Sequence, residues 1–152
     1  NTDVGAINSQ EQLERIRVLV DSGKEQGAKC WQSGQKLPRK GFWFKPTIFT
    51  GCAQSHSIVQ KEIFGPVLAI QTFRTPEEAV EKANNTPYGL SGGVWTDKGS
   101  KIFKITSQIR AGVLWANTFN KFDPGSPFGG YKESGIGREG GLQGLAPYVE
   151  LR

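Results

Sequence analysis

Apolar positions in this chain switch between helical and strand spacing. Leu13, Ile16 and Val20, with Leu19 beside them, recur along one helix face, and Ser9-x-x-Gln12 just before them reads as a capping box. Gly23 and Gly27 flank the end of that helix. Ala28–Trp31 suits a short strand. The β-favouring runs Phe42-Trp43-Phe44 and Thr47-Ile48-Phe49 predict a strand near 42–50, made irregular or an edge by Pro46. Val67–Phe73 is an apolar run of buried-strand length. Thr75-Pro76-Glu77-Glu78 is the clearest helix start in the chain: Thr75 caps, Pro76 has its φ pre-set, and Glu78 completes a second capping box. Ala79, Val80 and Ala83 make its inward face, and Asn84-Asn85-Thr86-Pro87 ends it. A short strand at Gly92–Trp95, a helix from Lys101 through Ile109 and a third apolar strand at Gly112–Asn117 follow. This alternation predicts one α/β domain, a mostly parallel sheet with flanking helices.

The last quarter breaks the pattern. Pro124 to Gly141 holds seven glycines and two prolines, which predicts a long ordered loop or a series of turns. A weak helix near Arg138–Leu145 and an extended tail at Tyr148–Arg152 are expected after it.

Composition narrows the function classes. No run approaches the roughly 18 apolar residues of a membrane span, so no membrane partner is expected. The opening residues lack the basic and apolar regions of a signal peptide and an initiator Met, so a piece of a longer protein is expected. The 19 basic and 14 acidic residues leave +5, but the basic residues are scattered. Lys36, Arg39, Lys40 and Lys45 form the densest stretch, interrupted by Pro38 and aromatics, and no nucleic-acid partner is expected. Cys30 and Cys52 make neither a disulfide scaffold nor a metal pair. The cytoplasm or another reducing compartment fits them, with no metal site.

Most chemical candidates have an ordinary explanation. Gly135–Gly140 matches G-x-G-x-x-G, but Tyr131-Lys132-Glu133-Ser134 before it is no buried strand, so turn chemistry accounts for it better than phosphate binding. His56, the only histidine, lacks a nucleophile elbow and reads as a loop residue. Neither cysteine has the cationic surroundings that favour a thiolate. Asn84-Asn85-Thr86 is a glycosylation sequon by letter and a helix stop by position. Glu62 and Phe64 are more distinctive. Gly65-Pro66 fixes a bend before the apolar strand, and two residues apart in an extended segment their side chains point the same way. A carboxylate can accept two hydrogen bonds from a diol and an aromatic ring can lie against a flat heterocycle, a pairing that suits a ribose and its base.

Four blocks carry a resemblance. Lys61–Val67, Ala83–Leu90, Ala111–Asn117 and Pro127–Gly135, in that order and spacing, resemble the NAD(P)-dependent aldehyde dehydrogenases, and the similarity extends through the opening helix over nearly the whole chain. The resemblance implies that residues 1–146 are the C-terminal part of the family's catalytic domain and that 147–152 begin its oligomerisation strand. It implies that Glu62 holds the nicotinamide ribose hydroxyls and Phe64 abuts the nicotinamide ring. It makes Phe122 and Phe128 walls of the substrate tunnel. The family's nucleophilic Cys, general-base Glu and cofactor domain match no part of this sequence, and Cys30 and Cys52 fall in no catalytic motif. The expectation is therefore part of an enzyme, a homo-oligomer, that oxidises an aldehyde to a carboxylic acid with NAD or NADP, the chain alone being inactive. The alternative is a non-catalytic module of the same fold, acting in association or scaffolding. A further expectation is that Leu68, Ile70, Val113 and Trp115 lie on exposed apolar surfaces.

Overall fold

A computed structural model describes residues 4–150. The chain divides into two compact units, residues 1–73 and 74–152, in place of one continuous core. The α/β expectation holds, and two of the three strand pairings are parallel, but the strands form two sheets, not one.

In the first unit, helix α1 (Gln10–Glu25) begins at Ser9, whose hydroxyl accepts from the Gln12 amide at 3.1 Å. It ends at Gly27, whose φ of +90° needs a glycine. There Gly27 N–H bonds Lys24 O and Ala28 N–H bonds Gly23 O, closing the helix's last carbonyls. The predicted stripe is buried: Leu13, Ile16, Leu19 and Val20. Strands β1 (Lys29–Gln32), β2 (Thr47–Thr50) and β3 (Val67–Ala69) pair antiparallel and then parallel, with β2 central. Thr47 and Phe49 point inward from β2, and the Thr47 hydroxyl is satisfied by the Lys45 carbonyl and the Gln32 amide. A short helix, α2 (Ser57–Gln60), sends Ile58 into the same core of Ile16, Leu19, Val20, Phe49 and Ile63.

Two strand expectations shrink. The 42–50 strand starts only at Thr47, because Pro46 has no N–H to give a ladder and its carbonyl is taken by Ser33. The 67–73 strand stops at Ala69, after which Ile70 makes the last bond to Phe49 and β2 turns away at Gly51.

In the second unit, helix α3 (Pro76–Asn84) is capped by the Thr75 hydroxyl, which accepts from the Glu78 amide at 3.1 Å. The Glu78 carboxylate reaches the Arg74 N–H and not its cap residue. Strand β4 (Ser91–Val94), helix α4 (Gly99–Thr106) and strand β5 (Val113–Ala116) form a parallel β-α-β unit; β4 and α4 begin one and two residues earlier than expected, and β5 is shorter by one residue at each end. Asn117 extends the pairing with its side chain, which both accepts from and donates to the Thr96 backbone. The Gly112 Cα lies so close to the Gly129 carbonyl oxygen that a Cβ would overlap it, so no other residue fits there. Helix α5 (Gly141–Leu145) is the helix foreseen near 138–145, only shorter.

Three further expectations are corrected or limited. Pro147 and Tyr148, read as the start of a strand, belong to a 3-10 turn over Ala146–Tyr148, since Pro147 supplies a turn-compatible φ; extended backbone begins at Val149. Leu151 and Arg152 lie outside the described residues. Leu68 and Ile70 are exposed as foreseen, but Trp115 is buried and Val113 half-buried.

Ion pairs give the fold a pH dependence. The Lys82 ammonium, 2.6 Å from Glu78, and then the Arg74 N–H hold the Glu78 carboxyl below its ordinary range. Lys104 does the same to Glu77. A carboxyl depressed in the fold stabilises above its unfolded pKa, and that contribution is lost as pH falls through the folded value. The expected outcome is that the chain's melting temperature falls between about pH 6 and about pH 3, with a shallower fall in a Glu77→Gln/Glu78→Gln variant. Equal acid slopes in both proteins would contradict the assignment.

Candidate functional site

The segment Lys61–Pro66 is a loop joining α2 to β3, and one buried side chain fixes it. Ile63 sits in the first unit's core while its neighbours Glu62 and Phe64 are exposed, Phe64 by 74%. Both candidates therefore lie at the surface on either side of the buried Ile63. The route differs from simple strand alternation, since Phe64 stands at φ +55°, in the left-handed region. Pro66 carries the loop into the sheet, its carbonyl accepting from Thr47 N–H at 2.9 Å, and a tight turn closes from Val67 N–H to Gly65 O at 2.7 Å. The loop thus carries an exposed carboxylate and an exposed aromatic ring two residues apart. A vicinal diol and a planar ring match these two groups in chemistry, so the residues present fit the nicotinamide riboside part of a dinucleotide.

Phe122 and Phe128 belong to the second unit. Their rings meet edge to face at 5.1 Å, and Phe122 meets Trp115 at 5.6 Å. Trp115 comes from β5, and its indole N–H bonds the Lys121 carbonyl at 2.9 Å, pulling the following loop back over the strand. Phe128 is held by a reciprocal backbone pair with Glu139. These side chains line a cleft of about 440 Å³ whose walls also include Lys121, Asp123 and Ser126. Phe119, against Trp115 at 4.8 Å, completes the aromatic group, and the sequence reading did not single it out. A larger cleft of about 550 Å³ lies among Pro124, Gly140, Leu142, Leu145 and Tyr148.

The remaining candidates resolve as structural parts. The Gly135–Gly140 loop follows a 3-10 turn over Lys132–Ser134, not a strand. The Arg138 guanidinium inside it donates to the carbonyls of Gly130, Ile136 and Gly137 and stacks 5.3 Å over Tyr131, so it is committed to its own loop. His56 accepts from the Ala53 N–H through Nδ1 at the start of α2. Asn84 spends its carboxamide on Gln108 O and Arg110 N–H, which agrees with a helix stop. Lys132, unnoticed in sequence, donates to the Asn84 and Thr86 carbonyls at the C-terminal end of α3, where a cation is favoured. Gln12 also does more than its sequence pattern suggests. Its amide binds the Ile63 and Phe64 carbonyls, and the capping-box pattern had concealed that role. Among the described residues, no group of acidic, His or Cys side chains could hold a metal, and no helix is long and apolar enough to cross a membrane.

Comparison with known proteins shows the family and the fold. A model of the aldehyde dehydrogenase family matches residues 1–152. A betaine aldehyde dehydrogenase of Bacillus subtilis (strain 168) is 41% identical over 156 residues, covering 99% of this chain and 32% of that protein. An NAD-dependent aldehyde dehydrogenase from Sinorhizobium meliloti superposes with a TM-score of 0.92 at 39% identity, covering 97% of this chain and 29% of the other. The NAD+ complex of an aldehyde dehydrogenase from Bacillus cereus does so with a TM-score of 0.92 at 41% identity, covering 98% and 30%. The chain thus spans about 30% of the length of the proteins it matches.

The two thiols differ in a way that can be measured. Cys30 is exposed on β1, whereas Cys52 is half-buried and its burial pushes the thiol pKa up. Iodoacetamide near neutral pH is expected to alkylate Cys30 several-fold faster than Cys52, because the thiolate is the reacting form. Faster labelling at Cys52 would show an activated thiol that the structure does not account for.

Proposed function

Since the chain belongs to the aldehyde dehydrogenase family, we propose that it is the C-terminal part of the catalytic domain of an enzyme that oxidises an aldehyde to a carboxylic acid with NAD or NADP. The observation that carries this reading is the exposure of Glu62 and Phe64 on one loop, with Ile63 anchored in the core between them. In the complete enzyme the Glu62 carboxylate accepts from the two hydroxyls of the nicotinamide ribose, and the Phe64 ring lies against the nicotinamide. Phe122 and Phe128 line the path of the aldehyde, a role supported by their edge-to-face contact along the wall of the aromatic cleft. NAD is the better supported of the two cofactors, because the similar Sinorhizobium enzyme is NAD-dependent and the Bacillus cereus enzyme was solved with NAD+. A reducing compartment, the cytoplasm included, goes with the unpaired thiols Cys30 and Cys52.

The division of labour follows from chemistry. Bound NAD(P) supplies the hydride acceptor. Aldehyde oxidation of this kind also needs an activated thiolate and an oxyanion donor. Cys52, its pKa raised by burial, is a poor thiolate, and Cys30 lies on β1 away from the Glu62–Phe64 loop in sequence and sheet order. This chain's own contribution is to bind and orient one end of the cofactor. Residues 1–146 form that catalytic part and 147–152 lead into an oligomerisation strand, with extended backbone from Val149. Homo-oligomer formation is supported by the exposed side chains of Leu68, Ile70, Leu142, Leu145 and Tyr148, since apolar surface of this kind commonly meets a partner. Light scattering that finds only monomer at high concentration would remove that part of the reading.

The isolated chain is expected to show no turnover with any aldehyde and either cofactor. A ribose clamp and one ring contact supply about 2–4 kcal/mol, against an association cost of at least about 4 kcal/mol, so NAD should bind the chain with Kd at or above about 1 mM. In the full-length enzyme, Glu62→Gln should raise KM for NAD by about tenfold, the loss of a charge-assisted hydrogen bond. Micromolar NAD binding by the chain, or an unchanged KM in the variant, would contradict the assignment.

A further inference from the structure

The loop that carries Glu62 and Phe64 is tied down by a side chain from the first turn of α1. Gln12 Nε2 donates to the Ile63 carbonyl at 3.0 Å and to the Phe64 carbonyl at 3.1 Å. These two carbonyls lie on either side of the Phe64 Cα, so holding both restrains φ and ψ of that one residue. Phe64 is also the residue in the loop that stands in the left-handed region, at φ +55°, a conformation that side chains other than Gly, Asn and Asp adopt rarely. One helical turn further along α1, Ile16 closes on the next residue: a Cβ on Gly65 would come within 2.5 Å of Ile16 Cδ1. Gln12 and Ile16, on one face of α1, therefore grip the loop at consecutive residues. Phe64 itself gains nothing from burial, with 74% of its surface exposed. An unusual backbone at an exposed aromatic residue needs an external restraint, and Gln12 is the polar group that provides it.

From this geometry we infer that Gln12 is a positioning residue: its two hydrogen bonds hold Phe64 left-handed and so set where the Phe64 ring and the Glu62 carboxylate stand. The inference rests on the proposed cofactor role of those two side chains, but its first test does not need the cofactor. In the 152-residue chain, the Phe64 amide–Hα coupling and Cα and Cβ chemical shifts report its backbone region by NMR. Gln12→Met keeps the length of the side chain without its donors, and Gln12→Glu keeps the shape while turning a carboxylate toward two carbonyls. Both variants should lose the left-handed signature at Phe64 while the α1 resonances stay helical. Retention of that signature in both variants would overturn the inference.

In the full-length enzyme carrying this segment, Gln12→Met should raise KM for NAD about tenfold, the scale of two neutral hydrogen bonds, and leave KM for the aldehyde unchanged. A purely structural role would lower the melting temperature without separating the two substrates. Because Gln12 acts through Phe64, adding Gln12→Met to Phe64→Ala should produce no further rise. If Phe64→Ala and Glu62→Gln raise KM for NAD and Gln12→Met does not, positioning by Gln12 is refuted while the cofactor site stands. If none of the three changes KM for NAD, the proposed cofactor site fails, and the NMR result on the chain still decides whether Gln12 holds Phe64.

Discussion

Burial of Ile63 among Ile16, Val20, Phe49 and Ile58 is the interaction on which the candidate site depends. It draws the middle of a short loop into the core, so the residues on either side have nowhere to go but solvent. The loop cannot shift by one residue without exposing Ile63 and pushing either the Glu62 carboxylate or the larger Phe64 ring into its place, and either change is costly. The same core is assembled from α1, α2 and β2, elements far apart in sequence. The site is thus a consequence of the first unit's packing, and what the loop adds is direction.

The second unit solves a different problem, bringing three irregular segments into contact with little apolar surface to drive it. It does so through backbone. The Gly89 carbonyl accepts from both Gly112 and Tyr131, the Gly89 N–H donates to the Ser134 hydroxyl, and Glu133 bonds Pro87. Lys132 reaches the end of α3 from the same stretch. Three of the four sequence blocks that suggested the family meet here, which gives their glycines a packing reason: side chains would separate the backbones that must touch. The aromatic group around Trp115 and Phe122 stands on this frame.

Much of this was legible in the sequence, and the parts that were not share a cause. Both major helices were readable because Ser9 and Thr75 cap within three residues of themselves, a local interaction. The partner side chains were not. Gln12 and Glu78 fit the capping pattern, yet one reaches Ile63 and the other Arg74, and only the fold decides between those acceptors. Strand existence was legible from apolar runs, whereas strand length depended on where β2 stopped offering a partner. The exposure of Glu62 and Phe64 agrees with a loop position before Gly65-Pro66, but the extended backbone expected there is not what forms: the left-handed Phe64 carries no signal in the sequence, since glycine would be the usual residue there. The division into two units also escaped the sequence, which has no linker composition at residue 73.

The account stands on the claim that Glu62 and Phe64 are a preformed receptor for the nicotinamide end of a dinucleotide. A crystal structure of the full-length enzyme with NAD bound measures this directly. The account predicts both nicotinamide-ribose hydroxyls within hydrogen-bonding distance of the Glu62 carboxylate, the nicotinamide in van der Waals contact with the Phe64 ring, and the 61–66 backbone unmoved with Phe64 still left-handed. A cofactor whose ribose is held elsewhere, or a loop that rearranges to meet it, would contradict the account.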